Sequence, residues 1–226
     1  MKKIISFSVW GSNPKYAAAA YANLQLQPEI YPGWKCRFYI DESVPLSIIN
    51  QLKGTPEIPS EIVLMPPSDG NYGLFWRFEP LKDITIDRFI VRDSDSRLNP
   101  REAAAVKEWE ESGLEFHLMR DNPMHGAKIC GGMWGATNEF IRKIAPIYDQ
   151  ELKKFLSTVP FDRLYTPRGK YFNSDQPFLW SCIWPRIINS HIAHIKDLPN
   201  LRFTGREKLF PLENPDGTFV GEPIEF

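Results

Sequence analysis

Residues 89–97 read Phe89-Ile90-Val91-Arg92-Asp93-Ser94-Asp95-Ser96-Arg97, an apolar run that ends in two carboxylates bracketed by two arginines. Three consecutive large apolar residues predict a strand buried on both faces, and a charged cluster at its carboxyl end falls where ligands sit in open α/β sheets. If the chain stays extended past Arg92, Asp93 and Asp95 point the same way, roughly 6.6 Å apart along the strand, and Ser94 faces away. Carboxylates so placed repel unless a positive charge lies between them. Hard divalent ions such as Mn2+ or Mg2+ select oxygen ligands and then bind phosphates, and Arg92 and Arg97 suit the phosphate charge that remains. A solvated acidic turn is the plainer reading. An EF-hand calcium loop is excluded, because the positions that need Gly and Glu hold Leu98 and Ala104.

Downstream, a helix start is well marked. Asn99 can cap, Pro100 suits the first helical position, and Glu102 stands where a capping box needs it; Gly113 ends the helix. The carboxylates therefore occupy a strand-to-helix crossover. Upstream, residues 4–10 alternate as a first strand into Trp10-Gly11-Ser12-Asn13-Pro14, where Ser12 or Asn13 can cap a helix that continues to Leu26, before Pro28. A strand, a Gly/Ser turn and a helix make a usual seat for a phosphate or ribose, although no GxGxxG is present. Residues 36–40 predict a second strand with Asp41 at its carboxyl end, either an acceptor for a base or ribose or the cap of its own turn. A short helix over 45–52 and a third strand over 61–65 follow.

Arg77 lies among Leu74, Phe75, Trp76 and Phe78, and an arginine on so apolar a stretch needs an anion: a buried carboxylate such as Asp93, or a diphosphate. After a strand over 114–119, with His117 read as a core or edge histidine, residues 123–135 carry Gly126, Gly131, Gly132 and Gly135. Bare backbone there admits a ligand or a closely packed neighbour. His125 could hydrogen-bond a hydroxyl beside it, and Trp134 could stack on a sugar ring. A helix from Asn138 to Phe155 packs the core. Asp175 either caps the helix of residues 178–188 or stands beside a substrate. His191 and His194 fall on opposite faces of a last strand, where one could complete a metal shell or both could be structural. The tail from 196 is read as wrapping the surface or covering the site.

The 226 residues are 42% hydrophobic with a formal net charge of -1, enough for one core and without the basic run that nucleic acid requires. No stretch reaches the ~18 apolar residues of a membrane span. The scattered Cys36, Cys130 and Cys182 read as reduced thiols, so a soluble, cytoplasmic protein is expected. Strands alternating with helices predict one α/β domain with a mostly parallel mixed sheet covered on both faces.

Taken together, Arg92 to Asn99 and His125 through Gly135 resemble nucleotide-sugar-dependent glycosyltransferases of the GT-A fold, in particular a group from large algal viruses and bacteria. The resemblance implies a Rossmann-like GT-A domain, with residues 1–100 as the nucleotide half, 101–195 as the sugar and acceptor half and 196–226 as a covering tail. It implies transfer of a hexose or deoxyhexose from a UDP-type donor to a glycan acceptor, with retention, and Mn2+ or Mg2+ held by Asp93 and Asp95 with His191 or His194. Donor binding would fall to Trp10, Gly11, Asp41, Arg77, Arg92, Asp93, Ser94, Gly131, Gly132 and Trp134. Asp175, Gln176 and His125 would be the catalytic residues. Residues 125–132 are similar to a stretch beside the donor sugar in retaining α-galactosyl transferases. Gln176 stands where those enzymes have a carboxylate, as in glycogenin-like transferases, which excludes a covalent intermediate at that position. Two other readings remain: a sugar-binding module, prompted by the tryptophans, and an Asp-based phosphohydrolase.

Overall fold

The computed structural model describes all residues except Ser12, 160–164, Pro215 and 224–226, together with the side chain of Tyr165. Its centre is the quoted stretch. Strand β4 (Arg88–Arg92) lies between β1 (Lys3–Val9) and β6 (Met133–Thr137) in an eight-stranded sheet ordered β10-β9-β5-β6-β4-β1-β2-β3. Here β2 is Lys35–Ile40, β3 Ser60–Leu64, β5 Phe116–Arg120, β9 His191–Ile195 and β10 Glu207–Leu209. All pairings are parallel except those of β6, which runs antiparallel to β4 and β5.

Side-chain alternation divides the core into two layers. Phe89 and Val91 join Phe78, Phe116, Trp134, Phe140 and Phe178 on one face. Ile90 joins Phe7, Leu24, Phe38, Val106 and Trp109 on the other. The second face is covered by α1 (Pro14–Ile30), α2 (Leu46–Leu52) and α3 (Pro100–Ser112). The first is covered by a 3-10 helix (Tyr72–Lys82), α4 (Asn138–Ile144), α5 (Tyr148–Thr158), and the run of α6 (Asp175–Phe178), a π-helical turn (Leu179–Ile183) and α7 (Trp184–Ile187). A sheet covered on both faces is what a fully apolar central strand requires.

Most local signals hold. Asn99 accepts a hydrogen bond from the Glu102 N–H at 2.9 Å, and Gly113 closes α3 at a φ of 70°. Asn13 caps α1 by accepting from the Lys15 N–H; Ser12 lies outside the described residues. Some boundaries differ. Helix α1 continues through Pro28 to Ile30, because Gln27 ties off its end by donating from Nε2 to the Tyr31 and Trp34 carbonyls. The long helix predicted from Asn138 is two, interrupted at Pro146, which has no N–H to continue it. Within the glycine-rich stretch 123–135, β6 begins only at Met133. A short hairpin, β7 (Tyr165–Thr166) and β8 (Gly169–Lys170), lies outside the main sheet. The tail adds β10 to the sheet edge, and Pro223 forms an isolated bridge with Ser96, beside the acidic turn.

Candidate active site

At the carboxyl end of β4 the alternation decides where charges go. Arg92 follows Ile90 onto the α3 face, and Asp93 follows Val91 onto the face of the 3-10 helix. The chain then turns instead of staying extended, with the Ser96 hydroxyl donating to the Asp93 carbonyl at 2.9 Å. This corrects the extended geometry expected for Asp93 and Asp95. The turn is held from below by Asn23 of α1, whose Nδ2 donates to the carbonyls of Ser94 (3.2 Å) and Ser96 (2.8 Å) and whose Oδ1 accepts from the Leu98 N–H (3.0 Å).

Asp93, Ser94 and Asp95 line a cavity of about 470 Å3 together with Ser8, Trp10, Gly11, Tyr16, Leu74 and Arg77. Arg77 is the buried cation of the site. Its Nη1 donates to Asp93 and its Nη2 to Asp175 at 2.7 Å, while its buried Nε has no partner among the described residues. Asp95 is met by the Lys15 ammonium at 3.8 Å. Three carboxylates thus face two cations, Arg77 and Lys15, which leaves one negative charge uncompensated. Burial, then the Asp93 charge, pushes the Asp95 carboxyl up from its ordinary range. Burial also pushes Asp175 up, against the pull of Arg77.

The two glycines have a definite reason. A Cβ on Gly131 would meet the Asp175 carboxylate and stand 2.8 Å from Arg77 Nη2, and one on Gly132 would collide with the Asp93 carboxylate. Bare backbone here admits the charged side chains, which is a packing role next to the cavity. Asp175 is the first residue of α6, and its carboxylate is held by Arg77 together with the Gln176 N–H. Gln176 is half-buried beside it. Just upstream, Tyr171 and Asn173 adopt left-handed backbone at φ of 63° and 53°, a conformation that costs on the order of 1 kcal/mol or more for residues other than glycine. Asn173 is thereby held on the cavity wall.

Several predicted site residues lie elsewhere. Arg92 is buried in the core, bound to Glu102 at 3.2 Å and to the Tyr31 hydroxyl at 3.3 Å, and cannot reach a phosphate; Arg97 is exposed. Trp134 is fully buried and stacked on Phe116 at 5.2 Å, so it offers no face to a sugar. His191 and His194 are buried in β9: His194 bonds His117 (2.8 Å) and Glu108 (3.0 Å), and His191 bonds the Ile187 carbonyl. Neither belongs to the acidic turn. His125 accepts from the Asp121 N–H through Nδ1 and packs against Phe219, outside the cavity lining. Asp41 accepts the N–H of Ser43 in its own turn and of Ser68 in the loop after β3, and borders a neighbouring cavity that shares Trp10 and Gly11. Asn23, Tyr16 and Lys15 were missed. Asn23 had a signal, since it falls on the buried stripe of α1 with Ala20, Leu24 and Gln27.

No family model matches the chain, and no curated protein matches its sequence. Solved structures do. The chain is similar to 4-diphosphocytidyl-2C-methyl-D-erythritol synthase from Anaerococcus prevotii, over 90% of each chain at 10% identity with a TM-score of 0.55. It is similar to a Bacillus anthracis protein described as a glucose-1-phosphate thymidylyltransferase, over 87% of each chain at 9% identity with a TM-score of 0.53. It also matches a glycosyltransferase involved in glycosylation of the major capsid of PBCV-1, over 86% of this chain and 82% of that one, at 16% identity with a TM-score of 0.48. The two likenesses with TM-scores above 0.5 carry the fold, the expected α/β, GT-A-like arrangement of a mostly parallel mixed sheet covered on both faces.

Proposed function

We propose that the protein is a metal-dependent glycosyltransferase that moves a hexose or deoxyhexose from a nucleotide diphosphate sugar, of UDP type, to a glycan acceptor with retention. The observation that carries this reading is the Asp93–Asp95 turn, an acidic pair that together with Asp175 outnumbers its two cations, inside a cavity at the carboxyl end of the central strand. Among the described residues no cluster of three metal-ligating side chains exists. The donor set fits Mn2+ or Mg2+, which take one or two protein carboxylates and fill their remaining positions from water and substrate phosphates. Asp93 and Asp95 would hold the ion, which when bound supplies Lewis-acid neutralisation of the leaving diphosphate.

The chain's own residues have separable tasks. Trp10, Gly11 and Tyr16 give the nucleoside a wall, and Arg77 lends positive charge next to the diphosphate while fixing Asp93 and Asp175. In the reaction the bond from the anomeric carbon to the β-phosphate oxygen breaks and its electron pair leaves with the nucleoside diphosphate. The acceptor hydroxyl forms the new bond from the same face, and its proton passes to the departing phosphate oxygen. Asp175, held on Arg77, stabilises the positive charge that develops on the sugar ring, and Gln176 flanks it as a neutral group.

A second reading, nucleotidyl transfer, is favoured by the two neighbours with the higher scores. Incubation with UDP-hexoses and Mn2+, read by mass spectrometry, separates them. Metal-dependent release of UDP with gain of a hexosyl mass on an acceptor is the expected result. Pyrophosphate from a nucleoside triphosphate and a sugar phosphate, with no UDP released from any UDP-sugar, would overturn it.

A further inference from the structure

Among the described residues, two cations pair with the three carboxylates of the site, and they are tied in different ways. Arg77 is 5% exposed and donates directly to Asp93 and to Asp175, which fixes its guanidinium from both sides. Lys15 approaches Asp95 only to 3.8 Å, beyond the ~3.2 Å of a direct N–H···O hydrogen bond, and its side chain is 33% accessible. One cation is built in; the other is held by charge alone.

The backbone beneath Lys15 is well fixed. Pro14 opens α1 with its φ preset, and the Asn13 side chain accepts the Lys15 N–H at 3.0 Å. Further along the same helix, Asn23 binds the carbonyls of Ser94 and Ser96, so α1 and the acidic turn keep one register. Asn13 and Tyr16 line the cavity, which sets Lys15 at its rim. What can move is the ammonium, a compact charge with three rotatable donors on a flexible four-carbon stem.

A divalent ion bound by Asp93 and Asp95 must draw on the same carboxylate that Lys15 faces, and the two positive charges repel. The three carboxylates exceed Arg77 and Lys15 by one negative charge; a divalent ion turns that into an excess of one positive charge. Among the described residues Lys15 has no second ion pair, so the anion left to receive it is the diphosphate that accompanies the ion.

We propose that Lys15 is a mobile counter-cation that competes with the divalent ion for Asp95 and, once displaced, pairs with the leaving diphosphate. The assignment rests on the donor-site reading of this cavity and deepens it by adding a leaving-group residue from α1 that also sets the affinity for the metal.

The test measures two equilibria in the full chain: Mn2+ alone, from the electron paramagnetic resonance signal of the unbound ion, and UDP at saturating Mn2+, by calorimetry. Lys15→Gln is expected to tighten Mn2+ binding about tenfold and to weaken UDP binding about tenfold, opposite signs that a merely structural residue would not produce. Lys15→Arg, which keeps the charge, is expected to hold both constants near those of the parent. Mn2+ affinity unchanged or lowered in Lys15→Gln, UDP affinity unchanged in it, or a loss of UDP binding in Lys15→Arg equal to that in Lys15→Gln would each overturn the proposal. Failure of the parent to bind Mn2+ or UDP at all would overturn the donor-site reading and this proposal with it. Mn2+-dependent UDP binding that is indifferent to Lys15→Gln would overturn this proposal alone.

Discussion

Two buried arginines lie on either side of the central strand, and they do different things. Arg92 is enclosed, with Glu102, the Tyr31 hydroxyl and the Val91 carbonyl as partners, and nothing near it opens to solvent. Arg77 is as deeply buried but borders a cavity, keeps one nitrogen unpaired, and pairs with Asp93, whose side chain remains 38% accessible. A complete polar network rigidifies a core, while an unsatisfied group beside a cavity calls for a partner that the described residues do not supply. The difference is one of residual valence, since both are arginine–carboxylate pairs.

Breaking the enclosed pair should produce the largest effect. Arg92→Met leaves Glu102 buried without its cation and is expected to cost about 3–5 kcal/mol, read from the urea midpoint. Adding Glu102→Leu should recover most of that loss, because apolar replacement of a whole buried pair is often neutral. If the single variant were as stable as the parent, Arg92 would not be the structural arginine of the two. The open pair should respond in the opposite sense. Arg77→Met with Asp175→Asn removes a charged network without stranding a partner in the core, so the melting temperature should change little. Sugar transfer should fall about a hundredfold, the scale of one preorganised charge contact at a leaving group. Equal transfer rates would erase the contrast.

The most gradual effect is a pH slope from the enclosed region. His117 and His194 are bonded to each other in the core, and burial holds both below the ordinary histidine range. Their folded pKa values are depressed, so the unfolded chain binds more protons as pH falls below 6.5. Stability from this pair is fully present above that pH and declines beneath it, by up to about 1.4 kcal/mol per pH unit for each histidine. Thermal melts from pH 7.5 to 5 check this, and His117→Phe should flatten the slope.

Much of this was legible in the chain. The apolar run at 89–91 specified the central strand, and Asn99, Pro100 and Gly113 specified the helix behind the acidic turn. Arg92 could have been placed correctly as well, since the period of two that sets Phe89 and Val91 against Ile90 carries Arg92 away from Asp93. The glycines were read as room for a ligand or for a closely packed neighbour; Gly131 and Gly132 make room for Asp175 and Asp93, and only a tertiary contact distinguishes the two readings. Trp134 and the histidines of β9 were assigned to a site by residue type, and burial within the sheet overrode it.

The central claim is that Asp93 and Asp95 hold a cation against a nucleoside diphosphate. Calorimetric titration of UDP with and without Mn2+, in the parent and in Asp95→Ala, tests it most directly. Binding that requires Mn2+ in the parent and weakens at least about a hundredfold in Asp95→Ala is the predicted result. UDP binding of equal strength in both proteins, or indifferent to Mn2+, would contradict it.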